Sequence, residues 1–250
     1  MKIRTVIALA LVAFLVTVLV RLPATVALAQ VNTSPATVHN PSGTVWRGHA
    51  QTVTYPGVSV DDVNWRLDPL SLFAARLGGN VDFSLFGGPS SAEVFSSFAG
   101  NLAIRNGHYV VAAGSLSRQI PGDLVELGGK VDLTIDEWDF IGRLPDALRA
   151  DILWENAVVV SPAAAQLGNV TITIEPNPAG HSARVDNQGG QVRISGKVDV
   201  DKQGVWRSDI RLKPNPGAPA ELDSTLSLVG KRSADGSYRL RQTGRLSDFL

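Results

Sequence analysis

The chain has 250 residues, with 23 Lys and Arg against 23 Asp and Glu, 24 Gly, 14 Pro and no cysteine. The even charge balance leaves no basic surplus to neutralise a phosphate backbone, which argues against a nucleic-acid partner, and the missing thiols exclude disulfides and thiolate metal sites. What remains after the N-terminal segment suffices for one large β domain or two small ones, held together by burial alone.

Met1-Lys2-Ile3-Arg4 is short and basic, residues 5–20 carry no charge, and Arg21 closes the run. A segment that is apolar on every face belongs in lipid, at least during export. It falls somewhat short of the about 20 apolar residues that span a bilayer, and the stems of Arg4 and Arg21 extend it by lying along apolar surface while their charges reach water. Ala27-Leu28-Ala29 has the A-x-A form of a cleavage site. A retained anchor over residues 1–24 and a leader cut after Ala29 both fit this pattern, and Arg21 favours the anchor. Either way, Lys2 and Arg4 stay in the cytoplasm and the bulk of the chain lies across the membrane. Residues 25–42, polar and proline-punctuated from Val31 onward, predict a linker. Residues 43–250 then form the exported domain.

Asp68 and Pro69 stand at N-cap and N1 of a predicted helix that runs to Leu77 and stops at Gly78. Residues 90–98 and 219–228 each predict two helical turns, and residues 145–150 one. None is long enough to be stable without a sheet beneath it. Elsewhere period-two alternation dominates. Asn106-Gly107, between Leu102-Ala103-Ile104-Arg105 and His108-Tyr109-Val110-Val111-Ala112, predicts a hairpin. Val170-Thr171-Ile172-Thr173-Ile174, Gln191-Val192-Arg193-Ile194-Ser195 and Lys197-Val198-Asp199-Val200 each present one apolar and one polar face. Strands also follow the Gln203-Gly204 and Asp235-Gly236 turns. A G-x-V-D-apolar pattern recurs at Gly79, Gly129 and Gly196 with uneven spacing, which describes one hairpin grammar reused along a meander rather than a solenoid period. The predicted fold is mainly β: a large, curved antiparallel sheet with a few short covering helices.

The residues offer little chemistry. His39, His49, His108 and His181 show no metal-ligand spacing, and there is no G-x-S-x-G elbow, P-loop or dinucleotide fingerprint. Asp61-Asp62, Asp132, Asp136-Glu137, Asp199 and Asp201 read as solvated strand and turn carboxylates, though a glycosidase pair among them is not readable from sequence. No catalytic, metal or cofactor residue is assigned. The tryptophans, Trp46, Trp65, Trp138, Trp154 and Trp206, read as rings packed between the sheet and its helices; an exposed set would mark a partner surface instead.

Several passages together carry a resemblance. Leu22-Pro23-Ala24 follows the apolar run, Ser42-Gly43-Thr44-Val45-Trp46-Arg47-Gly48 opens the domain, and Val63-Asn64-Trp65-Arg66-Leu67-Asp68-Pro69 comes soon after. Leu153-Trp154-Glu155-Asn156-Ala157 marks the middle and Asp235-Gly236-Ser237-Tyr238 the end. In this order and behind one anchor, they resemble protein N of the bacterial type II secretion system over nearly the whole chain. The marker positions are Pro23, Gly43, Trp46, Gly48, Trp65, Pro69, Trp154, Gly236 and Tyr238, and none offers a nucleophile or proton shuttle. The resemblance implies a non-enzymatic, single-pass inner-membrane protein of a Gram-negative cell with its β-rich domain in the periplasm. It also implies partners among the other inner-membrane subunits and the outer-membrane secretin, and a role in moving folded exoproteins out of the periplasm. A membrane-tethered sheet with one apolar face is also suited to lipid handling, which an open apolar groove would distinguish from a filled core. A periplasmic hydrolase is a third reading.

Overall fold

A computed structural model describes residues 21–30, 36–55, 58–117, 125–141, 144–161 and 164–246. The apolar run 5–20, and with it the anchor reading, lies outside the described residues. Among those described, no helix is long and apolar enough to cross a membrane.

The described strands are β1 (Thr37–His39), β2 (Ser42–Gly43), β3 (Arg47–Tyr55), β4 (Val58–Asp68), β5 (Arg76–Leu85), β6 (Gly88–Ser97), β7 (Leu102–Ala112), β8 (Glu126–Ile141), β9 (Leu144–Ser161), β10 (Ala165–Asn177), β11 (Gly180–Gln188), β12 (Val192–Asp201), β13 (Val205–Pro214), β14 (Lys231–Arg232) and β15 (Tyr238–Arg245). They form one antiparallel sheet. From β3 to β13 each strand pairs with the next in sequence; β1 and β2 both pair with β3, and β15 lies between β13 and β14. The expected antiparallel meander is therefore present, and it begins at Thr37, inside the stretch read as linker.

Period-two alternation sorts the side chains onto two faces. Registered pairs carry one row across the sheet: Trp65 opposite Val81, Phe83 opposite Ser90, then Tyr109, Leu133, Ile152, Ile172, Val185, Gly196, Ile210 and Leu240 in turn. The opposite face carries ion pairs such as Arg105–Asp139 at 2.6 Å, Arg105–Glu137 at 3.1 Å and Lys197–Asp199 at 2.8 Å. With both partners near water, such pairs contribute little stability and mainly keep the face polar.

Short helices meet the apolar face at its ends. The described helices are α1 (Ala24–Gln30), α2 (Ala113–Ser117) and α3 (Ala220–Val229), with a 3-10 turn η1 at Pro69–Ala74. α3 places Leu222 and Leu226 against Ala165, Val192 and Tyr238 to form a buried cluster. Between the ends Leu133, Ile152, Ile172, Val185 and Ile210 are only half-buried.

Four sequence expectations are corrected. Residues 90–97 lie in β6, paired with β5 and β7, and residues 145–150 lie in β9, paired along their length with β8 and joined by β10 at Ala150, so strand pairing claims backbones whose composition also suits a helix. The Pro69 helix is 3-10 and ends at Ala74, because Leu77 is drawn into pairing with Ser96. Its start is as expected: Asp68 accepts the Leu70 N–H at 2.9 Å. Finally, Asn106-Gly107 does not reverse the chain. Asn106 has a φ of 48° and sits within β7, where the register against β6 shifts, so the dipeptide makes a bulge.

Candidate functional site

Three of the sequence passages meet where the chain enters the sheet. Leu22 accepts a hydrogen bond from the Val45 N–H at 3.0 Å, and Pro23 bridges Thr44. Thr44 and Arg47 close the intervening turn: the Thr44 N–H donates to the Arg47 carbonyl at 2.8 Å, and the Arg47 N–H donates to Thr44 Oγ1 at 3.1 Å. Gly43 takes a φ of 82° there, and a Cβ on it would meet the Arg47 carbonyl oxygen at 2.5 Å. The Trp46 carbonyl accepts the Leu67 N–H at 2.8 Å, tying the turn to the end of β4.

Trp65 locks this junction. Its indole N–H donates to the Val45 carbonyl at 3.0 Å, and its ring lies over Gly48. Trp46 is 8% exposed and Ala24, the first residue of α1, is 2% exposed. Leu22-Pro23-Ala24, the Gly43–Gly48 turn and the Trp65–Pro69 strand end are therefore one packed unit. Beside it lies an apolar cleft of about 270 Å³ lined by Ala24, Leu28, Val38, Val45, Val53, Val63, Trp65 and Leu67.

The remaining marker residues lie elsewhere. Trp154 is in the middle of the sheet, its indole N–H donating to the Gly128 carbonyl at 2.9 Å. Gly236, with a φ of 76°, sits in the turn ahead of β15, where Asp235 accepts from the Ser237 hydroxyl at 2.6 Å. Tyr238 follows, 1% exposed beneath α3. The sequence reading missed Asn187. Its amide donates to the carbonyls of Leu167 at 2.6 Å and Val192 at 2.7 Å and accepts the Ile194 N–H at 2.6 Å, joining three strands.

The titratable groups are dispersed. Among the described residues, no three His, Asp or Glu side chains converge as a metal site would require. His108 Nε2 lies 2.9 Å from Asp132 Oδ1 on the polar face, and His49 Nδ1 lies 3.2 Å from Asn64 Oδ1. His181 points to the apolar face, where burial pulls its imidazole below the ordinary range against a smaller upward pull from Asp146. At the far end Asp209 is held down to about 2, chiefly by its hydrogen bond from Arg239 and further by Arg241. These pairs link neighbouring strands.

Comparison with known proteins is consistent across the chain. Residues 34–241 match the family described as type II secretion system (T2SS), protein N. The chain is 25% identical over 249 residues to the type II secretion system protein N of Aeromonas hydrophila, covering 96% of this chain and 97% of that one. It is 27% identical over 210 residues to the Klebsiella pneumoniae protein of the same name, covering 81% of each. With the Vibrio cholerae protein it shares 23% identity over 239 residues, covering 92% of this chain and 93% of that one. No solved structure matches the chain.

Proposed function

Because the chain belongs to the protein N family of the type II secretion system, we propose that it serves that machine as a non-enzymatic component, held in the inner membrane by residues 1–24 with residues 43–250 in the periplasm. The observation that carries this reading is the family match across residues 34–241. The packed junction adds to it, since it fixes the start of the sheet directly to the residue that follows the apolar run. The sheet is then a scaffold for other inner-membrane subunits and the outer-membrane secretin. One route to them is strand addition: among the described residues, β14 pairs only with Tyr238 and Arg239 of β15, so the flank of residues 240–244 on that side carries no strand pairing. Deleting the gene should leave folded exoproteins in the periplasm, and restoring the full chain should return them to the medium. Unchanged secretion in the deletion strain would remove the proposal.

One feature of the apolar face favours lipid handling as a second reading. The row from Leu133 to Ile210 is half-buried and not closed over by the described helices, and the cleft beside Trp65 has apolar walls. Native mass spectrometry of the full chain, released gently from detergent, separates the two. Retained phospholipid supports the lipid reading, and a lipid-free chain that still restores secretion rejects it.

A further inference from the structure

The large apolar side chains with greatest exposure among those described are Phe73 at 91%, Phe98 at 72% and Leu70 at 69%. They are far apart in sequence from residues 21–24, yet they share one end of the sheet with them. Leu70 and Phe73 lie on η1, between the end of β4 and the start of β5. Phe98 lies in the turn after β6, and Arg76 opposite Ser97 brings that turn beside η1. β3 starts at this same end, with Arg47 opposite Arg66, and it is here that Leu22 bonds Val45 and Pro23 bridges Thr44. The chain therefore enters from residue 21 at the end of the sheet that displays these three side chains.

We infer that this end of the sheet rests on the bilayer, with Leu70, Phe73 and Phe98 inserted at the level of the lipid headgroups. The inference rests on the anchor reading, because a transmembrane segment ending at Arg21 holds this end within a few residues of the membrane surface. Aromatic and leucine side chains standing free in water gain from that transfer in proportion to the apolar area removed from water. Exposed apolar clusters of this kind mark contact sites. The charges fit as well: Arg21, Arg47 and Arg76 are exposed around the cluster and suit anionic headgroups, with their stems lying along the apolar layer. Of the nearby acids, Asp68 caps η1 and Asp82 faces Arg66 at 3.6 Å. With three contacts besides the anchor, the sheet is held at a defined tilt to the membrane instead of swinging on a tether.

The absence of cysteine makes the test clean. Full-length chains carrying Ala74→Cys, Asn101→Cys or, as a control at the opposite end of the sheet, Ser59→Cys are labelled with an environment-sensitive fluorophore. They are then reconstituted into vesicles of phosphatidylethanolamine and phosphatidylglycerol. The expected result is blue-shifted emission at 74 and 101, quenched by nitroxide-bearing lipid, with an aqueous signal at 59. Adding Phe73→Asp and Phe98→Asp should return both probes to the aqueous signal while the chain stays on the vesicles and keeps its circular dichroism spectrum. A chain that floats with vesicles while both probes remain aqueous overturns this inference and leaves the anchor reading standing. A chain that does not float overturns both. Probes that become shielded only when another membrane protein is added overturn it in favour of a protein partner.

Discussion

Trp65 lays its six-membered ring against the bare Cα of Gly48, so close that a Cβ there would stand 2.2 Å from Cζ2. The two residues face each other in the β3–β4 register, and the indole is tethered by its bond to the Val45 carbonyl. The ring cannot retreat without losing that bond. Gly48→Ala should therefore destabilise the chain by about 1–3 kcal/mol, the usual range for forcing extra volume into a packed site. In thermal unfolding this is a fall of roughly 2–4 °C for each kcal/mol in a chain of this size. Trp65→Leu removes the ring, so the double variant should lose less than the sum of the two single losses. Strict additivity would show that the two residues do not act together.

Asp209 gives a pH dependence whose sign is fixed. Its carboxyl is lowered from 3.8 to about 2, first by the Arg239 hydrogen bond and then by Arg241. A depressed folded-state value means that the ionised form is favoured by folding. Its contribution is whole above pH 3.8 and is lost as the pH falls through about 2. Asp209→Asn lacks this contribution. Urea unfolding of both proteins should show a stability gap near pH 5 that narrows steadily below pH 4 and closes near pH 2. A gap that stays constant over that range would exclude an ionic origin.

Tyr238 holds α3 to the sheet. Its ring is 1% exposed among Val192, Leu222, Leu226 and Ala165, and its hydroxyl bonds Asp223 on the helix. Replacing a buried aromatic by alanine costs about 3–5 kcal/mol, and here the loss falls on a helix with few other contacts. Tyr238→Ala should open the segment between β13 and β14 to limited proteolysis while β3 to β9 stay protected. Tyr238→Phe keeps the ring and loses only the hydroxyl, so its cleavage rate should stay near that of the parent chain.

The strands at 170–174, 191–200, 205–212 and 237–241 were legible because they follow the two-residue period, whereas β11 (Gly180–Gln188) was not read from it, and the helix at 219–228 appears as Ala220–Val229. Residues 90–98 were not legible as a strand. Their Ala, Glu and Ser satisfy a helix locally, and only the pairings Phe83 with Ser90 and Ser90 with Tyr109 decide otherwise. Asn106-Gly107 carries the composition of a hairpin turn, but one left-handed residue serves a bulge equally well. At the junction the motifs themselves were visible, yet their convergence was not. Trp65 and Val45 lie 20 residues apart, and no local period reports a bond across that distance. The exposure of Phe73 and Phe98 was equally hidden, since an apolar residue in a short turn reads the same buried or bare.

Asn187 had no signal at all, because an asparagine just ahead of Gly189-Gly190 reads as turn chemistry. In the structure it bonds the carbonyls of Leu167 and Val192 and the N–H of Ile194, supplying partners that the strands themselves leave out. Asn187→Ala strands those groups, at about 1–3 kcal/mol for a buried polar group left unmade, and hydrogen exchange at the Ile194 amide should accelerate. Asn187→Asp separates the two halves of this role. Its carboxylate still accepts from Ile194, but it turns negative oxygen toward the Leu167 and Val192 carbonyls. That repulsion favours the protonated acid in the folded state, so the variant should recover stability relative to the parent as the pH falls, opposite in sign to the Asp209 effect. Equal pH profiles for the aspartate variant and the parent would show that the amide donors carry none of the stabilisation.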